Sequence, residues 1–564
     1  MKHMLENTIR ASIGSLLLAS PAFANGPDLI LHNAAIVTMD QDKPQASALA
    51  ITGERITAIG DEATVKALGT EHTRVIDLEG KTIIPGLVDT HIHAIRGGQT
   101  YTFETYWYDE TSLTAALETL GAAASARAQN EWVAVVGSWH PEQFEEKRAP
   151  TVEELTQAVP DRPAYIQYLY DYALVNAKGV EALKLNDQAP AVPAGITVER
   201  GPDGKATGKL LGHIGSYNAL FAQIAPQDEM PRKESLQAFF TALNSAGVTG
   251  FIDPSAGPAS SYDTLFALQR EGKLTNRAGY RIPAMRAGAE AQWFRDVMAF
   301  RQPHYETGLI SFVGLGESIV AAMNGGVQMG PGFAPSDKAK EELLAVARFA
   351  AGRHIPLEIH AYTDDAASSI LDVFEEVNKT HPLQDLRWSI AHLNTGSEQT
   401  LERMKRLGLS FTVQMGPYFE GPAILEANGE DVAAKSPQTR AALDRNILVA
   451  GGTDSTRIGV FGVWQAIEYH VTGRSLGGAI QKAASQLLSR EEALQLYTKN
   501  AAWIGFAEQD RGTLAKAKLA DLVVLDKPFF SIPADEIDSI RSLLTIVGGK
   551  VVYDRISGSS TPAQ

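Results

Sequence analysis

Two textures of apolar and polar positions divide this chain. From residue 27 to 84, short apolar runs alternate with turn residues. Ala35-Ile36-Val37-Thr38-Met39 reads as a strand, 48–59 as a hairpin around Thr52-Gly53-Glu54-Arg55, and Arg74-Val75-Ile76-Asp77-Leu78 as a strand ahead of the turn Glu79-Gly80-Lys81. The same texture returns near the other end. There 519–525 is β-rich, and Thr545-Ile546-Val547 leads through Gly548-Gly549 into Val551-Val552-Tyr553. Neither end holds enough strands to stand alone, so we expect one small β-sandwich domain built from 25–84 and 505–564. Between them, apolar runs alternate with helical segments such as 338–353, 396–407 and 490–504. Eight runs, at 83–93, 248–253, 280–286, 309–317, 356–362, 387–393, 409–414 and 447–455, predict an α/β fold, a (β/α)8 TIM barrel over 85–504. Residues 100–240 are too many for one βα connection. The apolar runs 132–136 and 164–169 within them mark a large folded insertion after barrel strand 1.

The N-terminus carries a different signal. Lys2 and Arg10 flank the start, an apolar stretch occupies 13–19, and Ala22-Phe23-Ala24 supplies small residues for cleavage. This order predicts a signal peptide over 1–24 and a periplasmic or secreted protein. The stretch falls short of the ~20 residues that span a bilayer, and no other segment qualifies, so no membrane span is expected. The net charge of −16 argues against nucleic acid as a partner. With no cysteine in 564 residues, disulfides, thiolate zinc sites and cysteine nucleophiles are excluded. A small-molecule substrate is the expected partner, with a homo-oligomer left open.

The remaining chemistry gathers at the ends of the apolar runs. Asp89-Thr90-His91-Ile92-His93 follows Ile83-Ile84-Pro85-Gly86-Leu87-Val88. On a strand, residues two apart share a face, so His91 and His93 are expected to present their imidazoles together. His360 ends Leu357-Glu358-Ile359-His360, His392 ends Trp388-Ser389-Ile390-Ala391-His392, and Asp454 ends Val449-Ala450-Gly451-Gly452-Thr453-Asp454. Taken singly, each reads as well as a satisfied core group or a helix cap. Together they place imidazoles and a carboxylate on the rim where barrel enzymes carry their sites, a donor set suited to a divalent metal such as Zn.

Pro85-Gly86-Leu87-Val88-Asp89-Thr90-His91-Ile92-His93, His360, His392 and Gly452-Thr453-Asp454 resemble the amidohydrolase superfamily. So does the stretch 512–526, which resembles the segment re-entering that family's small β-sandwich. The insertion, Pro193-Ala194-Gly195-Ile196 and Ala246-Gly247-Val248-Thr249-Gly250 point to its amidohydrolase-3, or YtcJ-like, group, which includes N-substituted formamide deformylases and proteins named exoenzyme regulators. The resemblance implies a hydrolase of amide-type C–N bonds with one or two ions, Zn being the expected metal. His91, His93, His360, His392 and Asp454 would be its ligands. Asp454 would move the water proton, and His392 would help polarise the scissile carbonyl. The alternatives are cleavage of esters or lactones, or a non-catalytic binding or regulatory protein on a degenerate barrel.

Two positions depart from the family pattern. Relatives carry a bridging carbamylated lysine on the fourth strand, where this chain has 309–317 without lysine. Glu317 is our candidate for a replacement ligand, against a helix cap or an arginine partner. Relatives also show Asp-Gly-His-Ser inside the insertion, where Tyr170-Asp171-Tyr172-Ala173 stands here. The aromatic residues Tyr101, Tyr106, Trp107, Tyr108 and Trp139, with His140, are expected to pack a core more than to line a pocket.

Overall fold

Eight parallel strands form the centre of the fold. They are β1 Leu87–Asp89, β2 Val248–Asp253, β3 Arg277–Ile282, β4 Ile310–Leu315, β5 Glu358–Thr363, β6 Ser389–Thr395, β7 Ser410–Val413 and β8 Val449–Gly451. A computed structural model describes residues 26–557 except 129, 256, 258 and 480, so the expected signal peptide lies outside the described residues. β1 to β4 pair in order, as do β5 to β8. A parallel bridge from Leu315 to Leu357 joins the two sets. The Thr90 N–H donates to the Gly451 carbonyl at 3.0 Å, returning the last strand to the first. These strands are buried on both faces, as parallel sheets covered by helices are. Helices Asp337–Gly352, Asp364–Asn378 and Glu398–Leu407 alternate with the later strands. The side chains of Ser336 and Ser397 accept N-terminal amides that open the first and last of these helices.

Strands from both chain ends make two further sheets. One is antiparallel in part and holds Leu29–His32, Ala48–Thr52, Arg55–Gly60 and Arg74–Asp77. The other pairs Thr82–Pro85 with Leu522–Leu525, which continues into the hairpin Ser542–Val547 and Lys550–Asp554. Leu31, Ile36, Leu49, Ile83, Leu522 and Leu544 belong to one apolar core shared by the two sheets.

Several expectations are corrected. The run 83–93 is not one strand: Thr82–Pro85 lies in the terminal sheet and Leu87–Asp89 in the central one. The switch occurs at Gly86, where a Cβ would sit 2.2 Å from Thr249 Oγ1. β3 begins at Arg277, three residues before the expected 280. A charged residue breaks the apolar pattern, but Arg277 is buried by pairing with Asp521, Nε to Oδ2 at 2.7 Å. The segment 490–504 is two helices, Arg490–Leu496 and Lys499–Ile504.

The insertion is folded around its own five-stranded sheet, in which Val133–Val136 pairs with Ala164–Tyr168 and that strand with Tyr172–Val175. Its expected end at 240 falls inside helix Glu229–Ser245, which packs against β2 and so belongs to the central fold. Trp107 and Trp139 are fully buried against Phe144, as expected for core aromatics. Tyr101 and Tyr108 instead line a cleft of about 230 Å³ with Phe461 and Trp464.

Candidate metal centre

All six candidate ligands converge on one centre, His360 and His392 from within their strands and His91, His93, Glu317 and Asp454 from just beyond theirs. His91 and His93 do not lie on a strand. They follow β1 in the chain, and His93 precedes helix Ala94–Gly98. Strand alternation therefore does not align them. Their outward ring nitrogens do: Glu358 Oε1 lies 3.0 Å from His91 Nδ1, and the Ser255 carbonyl lies 2.9 Å from His93 Nδ1, while the Asp89 carboxylate accepts the His91 backbone N–H at 3.1 Å. Both imidazoles consequently turn Nε2 inward. His360 lies within β5, where its Nε2 is 2.7 Å from the Gly326 carbonyl and its Nδ1 faces the centre. His392 lies within β6 in left-handed backbone, φ +73°, and Asp454 follows β8, also left-handed at +57°. Such conformations in residues other than glycine are a form of strain that functional sites retain.

Glu317, just beyond β4, occupies the middle. Its Oε1 is 3.3 Å from His93 Nε2, and its Oε2 lies 2.9 Å from His360 Nδ1, 3.1 Å from His392 Nε2 and 3.6 Å from His91 Nε2. Asp454 Oδ1 is 3.4 Å from His93 Nε2 and 3.9 Å from His91 Nε2, while Oδ2 is 3.8 Å from His392 Nδ1. The helix-cap and arginine-partner readings of Glu317 are thus set aside, because all four histidines surround its carboxylate.

Electrostatics follow from this crowding. Burial would raise the Glu317 carboxyl, but the four histidines hold it well below the usual range. Burial likewise opposes the ionised form of Asp454, and His93, His392 and His91 outweigh it. His91 rises to about 9 despite burial, through Glu317 and Glu358, and burial with His360 holds His392 at about 4. The centre tests well as a cation site. His91 Nε2 is buried with no hydrogen-bond partner, and three overlapping sets (His91, His93, Glu317; His91, His392, Asp454; Glu317, His360, His392) place ligand atoms within 4.8 Å of one another. Imidazole and carboxylate donors in that number suit zinc and its neighbours in the first transition row.

Supporting groups escaped the reading of single residues. Glu358, fully buried, also accepts from the hydroxyls of Ser389 and Thr412 and faces Arg281 at 3.6 Å. Burial opposes its charge, but Arg281 and His91 hold its carboxyl at about 2. Its signal was a lone acid inside an apolar strand, two residues before His360. Asp89 accepts the Thr453 hydroxyl at 2.6 Å and ties β1 to the loop bearing Asp454. Groups that hold the far side of a ligand's ring fix its orientation and basicity.

A family model described as "Amidohydrolase family" matches residues 74–553. The chain belongs to the amidohydrolase family. It is 23% identical over 541 residues to YtcJ of Bacillus subtilis, a proposed amidohydrolase, covering 93% of this chain and 99% of that protein. It is also 23% identical over 546 residues to the N-substituted formamide deformylase of Arthrobacter pascens, covering 94% and 98%. Among solved structures, an uncharacterised metal-dependent hydrolase from Pyrococcus horikoshii superposes with TM-score 0.65 at 20% identity, over 90% of this chain and 99% of that one. A mutant of atrazine chlorohydrolase TrzN from Arthrobacter aurescens, complexed with zinc and atraton, superposes with TM-score 0.50 at 16% identity, over 93% and 95%. These likenesses carry a mixed α/β fold of the TIM-barrel type shared with amidohydrolases.

Proposed function

We propose that this amidohydrolase is a hydrolase of an amide-type C–N bond in a small molecule, working at a metal centre that His91, His93, His360, His392, Asp454 and Glu317 would hold. The observation that carries it is the placement of Glu317, with one carboxylate oxygen toward His93 and the other toward His360 and His392. In this reading His91, His93 and Asp454 would hold one divalent cation, His360 and His392 would hold a second, and Glu317, whose carboxylate faces both groups, would contribute an oxygen to each. When bound, such ions, zinc by donor type, supply Lewis acidity and acidify water. Asp454 takes a proton on Oδ2, the oxygen farther from His91 and His93, and returns it to the leaving nitrogen. His392 steadies the scissile carbonyl. Glu317 provides the two oxygens that relatives draw from a carbamylated lysine, without requiring carbon dioxide.

The architecture fits the same reading: a (β/α)8 barrel closed through β8 and β1, a β-sandwich of both chain ends, and the insertion standing over the rim. Likeness to a formamide deformylase supports the C–N bond as the target. Export and removal of 1–24 complete the proposal, and intact mass of protein from the native host should show a chain starting at Asn25. Metal analysis of wild type beside Glu317→Gln, with hydrolysis of N-formyl and N-acetyl amines followed with and without chelator, tests the centre. We expect near-stoichiometric metal and chelator-sensitive turnover in wild type, and loss of both in the variant. Unchanged metal and turnover in Glu317→Gln would remove it as a ligand, and a metal-free, inert wild type would favour a binding protein.

A further inference from the structure

Asp454 opens a loop, 454–459, whose two sides are held by different parts of the molecule. Upstream, the Thr453 hydroxyl donates to Asp89 at 2.6 Å, and the Asp454 N–H donates to the His91 carbonyl at 2.8 Å. Downstream, the Ser455 carbonyl accepts the His93 N–H at 2.9 Å, while the Ser455 hydroxyl is buried without a hydrogen-bond partner. Beyond Ser455 the loop's attachments pass to the insertion.

Strand Val133–Val136 of the insertion runs into Gly137 and Ser138, both in left-handed backbone at φ +74° and +59°. The Ser138 hydroxyl lies 2.7 Å from the carbonyl oxygens of both Thr456 and Gly459, and the Ser138 N–H donates to the Arg457 carbonyl at 3.0 Å. At Gly137 a Cβ would stand 2.0 Å from that same Arg457 oxygen, so the approach needs glycine. Arg457 is 2% exposed, donates to Glu104 at 2.8 Å and lies over the Phe221 ring at 4.8 Å. Ile458 is buried in the insertion's apolar core. The insertion thus satisfies three loop carbonyls and one buried charge, all close behind Asp454. Groups buried in this way are held firmly, because releasing them leaves polar atoms unpaired.

Asp454 is itself left-handed at φ +57°, a conformation that a residue other than glycine keeps when its surroundings enforce it. Freed on its downstream side, the loop relaxes toward right-handed backbone, and the carboxylate leaves its place beside His91, His93 and His392. We propose that Ser138 and Arg457 are positioning residues through which the insertion holds Asp454 in the metal centre. Part of the centre's geometry is then set from outside the barrel. In giving the held carboxylate a catalytic task, the inference rests on the hydrolase reading above.

Full-length protein loaded with cobalt(II) reads the position of Asp454, because the visible bands of that ion respond to ligand geometry. Ser138→Ala is expected to shift those bands and to raise the zinc dissociation constant by about tenfold in a chelator competition. With an N-formyl amine as substrate, its kcat should fall by about 10–100-fold while KM changes by less than about threefold. Arg457→Met should do the same, and Arg457→Lys, which keeps a cation beside Glu104, should retain part of what Met loses. The control is Thr151→Ala, which removes the cap of helix Val152–Ala158 elsewhere in the insertion. It should cost stability yet leave bands, zinc affinity and kcat as in wild type. Unchanged bands, affinity and kcat in Ser138→Ala overturn the proposal, and this variant decides if Arg457→Met, which strands Glu104, does not fold. Equal changes in Thr151→Ala overturn it as well, since a general loosening of the insertion would then be the cause. If wild type hydrolyses no amide but bands and affinity still follow Ser138, the hydrolase reading falls and the positioning role stands. Chelator-sensitive hydrolysis that Ser138→Ala leaves untouched would do the reverse.

Discussion

Single residues in this centre act through the orientation of others. Asp454 touches three histidines through its two oxygens. Asparagine keeps one oxygen as a ligand but cannot carry the proton. Asp454→Asn is therefore expected to retain most bound metal and lose kcat by about 10²–10⁴-fold, read by steady-state kinetics beside metal analysis. Glu358 is fully buried, holds His91 Nδ1 at 3.0 Å and faces Arg281. In Glu358→Gln the ring loses its charged anchor, and the metal dissociation constant should rise by about 10–100-fold in a chelator competition. Equal metal affinity in wild type and variant would show that Glu358 serves packing alone.

At the scale of elements, the strands deliver these groups only because their ends leave regular geometry. β4 is the clearest case. Gly314 sits at φ +124°, and a Cβ there would lie 2.3 Å from the Pro356 carbonyl oxygen. The close approach brings the end of β4 against β5, where Glu317 and His360 meet. Gly314→Ala is expected to cost about 2–4 kcal/mol in denaturant unfolding, from overpacking together with a positive φ that L residues resist. The same substitution should weaken metal retention, since Glu317 follows three residues later. The patterns that predict strands are blind to such ends. The hairpin at 52–55 and the turn at Gly548-Gly549 were readable because turn chemistry is local. The break at Gly86 was not, because its cause is Thr249, distant in sequence.

Across the whole molecule, buried charge is distributed unevenly. Arg277 and Asp521 pair between the central fold and the C-terminal sheet, and Arg457 and Glu104 between the loop after β8 and the insertion. Lys482 lacks such a partner: its ammonium is buried against the Pro437 carbonyl at 3.2 Å, and burial lowers it from 10.5 to about 7. Between about pH 7 and 10.5 the unfolded chain holds that proton and the folded chain does not. This group therefore makes stability rise with pH across the window, and charges folding a constant penalty below it. Lys482→Met should raise stability by about 1–3 kcal/mol at pH 7, a gain that shrinks toward pH 10 in thermal unfolding followed across pH. A variant less stable than wild type at pH 7 would contradict this.

The chain's own pattern determined the alternation of strand and helix, the eight central runs, the sheets at both ends, and five of the six centre residues as candidate metal ligands. Those signals are local: apolar periodicity, turn residues, and imidazoles placed at the ends of buried runs. Glu317 came from the family pattern as a candidate, and only the fold put its carboxylate among four histidines. Tertiary structure alone decided which ring nitrogen His91, His93 and His360 turn inward, because those choices belong to Glu358, the Ser255 carbonyl and the Gly326 carbonyl on other parts of the chain. It alone buried Arg277 inside a strand, against Asp521. The reason is the same in each case. A charge or a bare carboxylate oxygen is placed by the partner that satisfies it, and these partners lie tens to hundreds of residues away.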